Sequence, residues 1–126
     1  MIRIMITIRA QQLEALRGRR DKRFSSLLFA TFRGLDCFAR CGDEELLRRI
    51  NAGMVRGRSY GLTWERSIAT FVGWTLLFGS RFDSHPRIRH LLTLKEVPPD
   101  ERVALVKEVI PPDEWQKIRA LSEDAF

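Results

Sequence analysis

Five side chains in this sequence are of types that do covalent or acid–base chemistry near neutral pH: Cys37, Cys41, Asp83, His85 and His90. Nucleophilic catalysis needs a nucleophile, a base to take its proton and a third group to orient the base. A cysteine with one of the histidines supplies the types, but the cysteines stand far upstream and no local motif joins them to an imidazole. The C-x3-C spacing has no second cysteine pair to complete a zinc site, and two histidines do not make one. Both thiols therefore read as free packing side chains at a helix end or in a loop, and a disulfide forms only if the backbone brings the two together. Asp83 and His85 lie just before Pro86, where turn formation and capping are their ordinary duties. Glycine-rich phosphate loops and paired-carboxylate motifs are absent. The residues predict no enzyme, no cofactor and no metal.

Charge is more informative than chemistry. The 126 residues carry a net +6. Residues 1–66 hold 14 Lys/Arg against 7 Asp/Glu, and residues 67–126 hold 8 against 9, so the basic character belongs to the N-terminal half. It concentrates in Arg17-Gly18-Arg19-Arg20-Asp21-Lys22-Arg23, a dense cationic surface if helical. Such a surface suits an acidic protein, an anionic lipid or nucleic acid. Nucleic acid would be held through its phosphates and released by salt. The segment lacks interleaved aromatics and a nucleic-acid fold motif around it, which counts against nucleic acid and leaves a protein or a membrane surface open as the contact. Arg17, Arg19, Arg20, Lys22 and Arg23 are the candidate contacts. Phe29 joins them as an exposed aromatic anchor off the main helical stripe, with Trp64 and Trp115 as weaker anchors.

The elements that position these residues are helical. Residues 2–8 alternate and read as a short strand or an extended arm. From Ala10 the pattern changes: Leu13, Leu16, Phe24, Leu27, Leu28 and Thr31 share one stripe of a first helix over about 10–34. Gly34 to Gly42 breaks it. Asp43-Glu44-Glu45 puts negative charge at the start of a second helix, whose inner face is Leu46, Leu47, Ile50 and Met54. Gly61 supplies the left-handed residue that ends it, Leu62 folds back, and Thr63 caps the next helix. That third helix, about 64–79, is apolar on nearly every side and so must be central, with Gly73 allowing a neighbour close. A short helix covers Arg87 to Leu94. Val97-Pro98-Pro99-Asp100-Glu101 recurs as Ile110-Pro111-Pro112-Asp113-Glu114, which predicts two proline-started helices over about 99–109 and 112–122. The pair is either core or a docking hairpin. The expected architecture is one all-α domain over 1–126, five or six helices around the helix 64–79. The longest apolar stretch is about half a membrane span, and no secretory signal is visible, so the cytoplasm is the expected location.

Several of these landmarks coincide with a known pattern. The chain resembles a family of small helical proteins encoded beside type VI secretion genes in Gram-negative bacteria, near spike-tip proteins and toxin effectors. The likeness rests on Ile6-Thr7-Ile8-Arg9-Ala10-Gln11-Gln12-Leu13-Glu14-Ala15-Leu16, Arg23-Phe24, Gly42-Asp43-Glu44-Glu45-Leu46, Tyr60-Gly61-Leu62-Thr63, Glu65-Arg66, Phe78-Gly79 and Phe82-Asp83. It covers about residues 5–92 and leaves out the two proline-started helices. Family members usually carry more acid in the first helix, where this chain has Arg17, Arg19 and Arg20. The resemblance implies an accessory role around a secreted toxin: immunity, by occluding the toxin, or chaperoning, by holding an effector for loading onto the spike. Neither role needs catalytic residues. Immunity proteins against nucleases tend to mimic an acidic substrate, so a basic chain suits a toxin with an acidic surface instead.

Overall fold

A computed structural model describes residues 21–126, and every regular element in them is helical. The arm over 2–8, the start of the first helix and Arg17, Arg19 and Arg20 lie outside the described residues.

Helix α1, described over 21–33, buries Phe24 and Leu28. The predicted stripe also held Leu27 and Thr31, and the structure corrects both. Leu27 is 60% exposed and Thr31 is exposed, its hydroxyl donating back to the Leu27 carbonyl. A helix turns about 100° per residue, so once α1 aims Ser25 at its neighbour, Leu27 swings out on the far flank of Phe24. The Ser25 hydroxyl meets Asn51 Oδ1 at 2.7 Å.

The break is a folded corner. A 3-10 turn, Asp36–Phe38, inserts Phe38 into the core. Arg33 fastens the corner by donating to the carbonyls of Phe38 (3.1 Å) and Cys41 (2.7 Å) and by pairing with Asp43 at 2.9 Å. Helix α2, Asp43–Ser59, begins with three acids in its first turn, as the helix dipole favours. Leu46, Ile50 and Met54 are buried as expected. Leu47 is not: at 40% exposure it faces outward, and Gly53 and Gly57 complete the inner face instead. These two glycines let α2 lie close against helix α3, Glu65–Phe78. A β-carbon at Gly53 would come 3.0 Å from Thr75 Oγ1, whereas one at Gly73 would find only ordinary contact with Phe32 at 3.7 Å. The close approach predicted at Gly73 therefore occurs on the partner helix.

The corner between α2 and α3 follows the sequence reading: Gly61 has φ 90°, and Leu62 is buried. Thr63 does not cap α3 with its own side chain. The cap comes from Asp100, whose carboxylate accepts the backbone N–H groups of Trp64 (2.8 Å) and Thr63 (3.1 Å) and the Thr63 hydroxyl (3.0 Å). Helix α3 is central, with Ile68, Phe71, Val72, Trp74 and Leu76 all buried. It stops at Gly79, φ 103°, before a 3-10 turn at Phe82–Ser84.

Helix α4, Pro86–Leu92, buries Ile88 and Leu92. Helices α5, Pro99–Val109, and α6, Pro112–Leu121, each begin on the second proline of the repeat. Both are core elements: Val103, Val106, Ile110 and Trp115 are buried, and Trp115 packs against Trp74 and Phe78 with ring centroids 5.2 and 4.5 Å apart. Beyond α6 the chain returns across α2 and α3. Phe126 donates its backbone N–H to the Leu76 carbonyl at 3.0 Å, meets Phe38 edge-on at 5.4 Å, and lies under the Arg49 guanidinium at 4.5 Å.

Candidate functional site

The expected contacts of the first helix separate in the structure. Lys22 and Arg23 are exposed on α1. Phe29 is half-buried and packed against the core, with the Arg33 guanidinium 5.7 Å from its ring centroid, so it does not stand free as an exposed anchor. Trp115 belongs to the core, whereas Trp64 is 57% exposed at the start of α3. Cys37 and Cys41 are free thiols in the α1–α2 corner, on a different element from His85 and His90. Among the described residues no group of three or more His, Cys, Asp and Glu side chains is placed to hold a metal ion.

Lys22 on α1 stands beside a shallow groove against α2. Asp21, Lys22 and Ser26 line one wall, Leu47, Asn51, Val55 and Arg58 the other, around a volume of about 430 Å³. Leu47 and Val55 sit there exposed, Val55 at 69%. Arg58 is braced by a two-point pair with Asp21, 2.8 and 3.2 Å. Exposed apolar side chains framed by cations make a surface that can bind a partner's apolar groups while selecting for acid at its rim.

On the opposite flank of α2 the charge is organised around a buried carboxylate. Asp83 is 1% exposed. Its Oδ2 accepts from Arg56 Nε at 2.8 Å and from the Tyr60 hydroxyl at 2.5 Å, and its Oδ1 is buried with no hydrogen-bond partner among the described residues. A buried charge of this kind needs a paired cation and hydrogen bonds to be tolerated. Burial, the hydrogen bond to Asp83 and the carboxylate's charge together push the Tyr60 phenol up to about 12. Asp83 thus differs from the turn-capping residue its sequence setting predicts. Three positions from a proline, in Phe82-Asp83-Ser84-His85-Pro86, it looks like an ordinary turn acid; only the tertiary fold shows that α2 supplies its partners. His85 instead faces α6, its Nε2 4.0 Å from Glu114, which also holds Arg87 at 2.9 Å.

Beside this cluster, Arg48, Arg49, Ala52, Val55, Arg56 and the acid Asp124 line a second groove of about 400 Å³, with Gly53, Ser59, Thr75 and Ser80 at its floor and edges. Arg48 and Arg49 share the Glu45 carboxylate, which their hydrogen bonds hold down at about 2. Val55 is the ridge between the two grooves.

No family model, curated protein or solved structure matches this chain. No helix among the described residues is long and apolar enough to cross a membrane.

Proposed function

We propose that this chain is a non-catalytic binding protein for a toxin effector of a type VI secretion system, acting in the bacterial cytoplasm as its immunity protein. The observation that carries the binding role is the α1–α2 groove, where exposed Leu47 and Val55 are framed by Lys22 and Arg58. Asp21 holds Arg58 at the rim, and the remaining charge of Lys22 favours a partner with an acidic surface. The resemblance of residues 5–92 to proteins encoded beside secretion spikes supplies the class of partner.

The test has two stages. The tagged protein is used to capture its partner from the native bacterium under a high-salt wash, with identification by mass spectrometry. The captured protein is then expressed alone and together with this chain. Toxicity relieved by co-expression supports immunity. Toxicity unchanged, with the effector no longer reaching the spike when this chain is deleted, assigns the role of chaperone or adaptor instead. Recovery of nucleic acid or anionic lipid alone, lost in the salt wash, overturns both and leaves the basic first helix as a polyanion site.

A further inference from the structure

We propose that the groove on the Arg56 flank of α2 is a second contact for the protein partner, taking an acidic segment of it with Arg56 as the carboxylate clamp; this rests on the partner-binding reading above. The argument is one of donors and acceptors. The carboxylates around the groove are already engaged. Glu45 serves both Arg48 and Arg49, Asp83 lies inside the protein beneath Arg56, and Asp124 accepts the Ser80 backbone N–H at 3.0 Å. What the groove has to spare is donors. Arg56 uses Nε on Asp83, and its two terminal nitrogens make no hydrogen bond to another described residue.

Arg56 is also held in place. Asp83 is fixed by burial and by the Tyr60 hydroxyl, so the guanidinium plane is anchored at its Nε edge while its outer edge remains open. A flexible arginine loses side-chain entropy when it grips a carboxylate, and one already braced loses less. Ala52, Gly53 and exposed Val55 supply apolar surface beside this clamp. A carboxylate next to an apolar side chain is the chemistry of an acidic peptide segment. A polyphosphate or nucleic acid backbone would satisfy the cations and leave the apolar surface unused.

The probe is a short fluorescent peptide of alternating glutamate and leucine, titrated against the whole protein by anisotropy and followed by the NMR signals of the arginine Nε–H groups. Ala52→Glu places a like charge in this groove alone, on an exposed helix position where glutamate is well tolerated. Expected are a shift of the Arg56 Nε–H signal on binding and a loss of affinity of about tenfold in Ala52→Glu, with less than a twofold change in Lys22→Glu. Tyr60→Phe, which removes one of the two donors on Asp83 Oδ2 and so loosens the anchor of the clamp, should weaken binding while leaving the circular dichroism spectrum unchanged. A peptide-induced shift of the Arg58 Nε–H signal with Arg56 unmoved would overturn this groove and leave the partner-binding reading standing. Inorganic tripolyphosphate shifting Arg56 with equal affinity would overturn the peptide as its occupant. Absence of any peptide binding also overturns the proposal, and capture of the toxin then decides separately whether the broader reading survives.

Discussion

Asp100, in the first turn of α5, accepts the Trp64 backbone N–H at 2.8 Å and so caps a helix whose N-cap lies 36 positions earlier in the chain. The start of α3 is left with free N–H groups that no neighbouring side chain satisfies, since its N-cap Trp64 has none to offer. Its duplicate in the repeat, Asp113, is exposed, and there the adjacent Glu114 does the pairing, with Arg87. One repeated sequence thus serves two different tertiary duties.

Replacing Asp100 by Ala should destabilise the fold by about 1 kcal/mol, the usual cost of losing a helix cap. Burial works against the Asp100 carboxylate, but the hydrogen bonds from Trp64 and Thr63 outweigh it and hold its carboxyl below the ordinary value. A group depressed in the folded state stabilises fully above its unfolded value, and that contribution is lost as pH falls through the folded one. Chemical denaturation of wild type and Asp100→Ala should therefore converge in acid and diverge toward neutral pH.

Tyr60→Phe should cost about 1–2 kcal/mol, because a buried carboxylate loses one of its two donors. In the wild type the phenol is raised, so its contribution is complete below the ordinary tyrosine value of 10.0 and declines as pH rises toward about 12. Ultraviolet titration of the single tyrosine reads this directly. Substituting Asp83→Asn should bring the titration midpoint back toward the ordinary value.

Gly53→Leu should destabilise by about 1–3 kcal/mol through overpacking between α2 and α3, where even a β-carbon meets Thr75 Oγ1 at 3.0 Å. Thermal denaturation would reveal it. A transition equal to wild type would show that the two helices have room to part.

Gly79→Ala should release the returning segment after α6. A β-carbon there would collide with Ser122 Oγ, and φ 103° disfavours any side chain. Faster exchange of the Phe126 amide, which bonds the Leu76 carbonyl, is the expected readout.

Much of this fold was legible because its signals are local. Gly61 followed by Leu62 announces a helix end, and the doubled prolines at 98–99 and 111–112 announce two helix starts. What escaped depends on partners distant in sequence. Leu27 and Leu47 fit their helical stripes as well as their buried neighbours do, and only the direction of the adjoining helix decides which flank turns outward. Asp83 and Arg56 are 27 positions apart with a whole helix between them, so no spacing rule joins them. Of the expected contact residues, Lys22 lines a groove, but the apolar part of that groove comes from Leu47 and Val55, and the spacing of Leu47 matches that of the core residues on the same helix.

The return of the chain to Arg49, Leu76 and Phe38 also bears on the order of folding. Arg49 donates to the Asp124 carbonyl across 75 positions, whereas α2 and α3 are joined by a five-residue corner. Closing a short loop costs less chain entropy than closing a long one, and contacts of low sequence separation form first. The α2–α3 hairpin is therefore the natural nucleus, and the docking of Phe126 belongs to the downhill side of the barrier. Truncating the Phe126 ring should speed unfolding and leave the folding rate nearly unchanged, so this segment governs how long the native state lasts and has little influence on how fast it is reached.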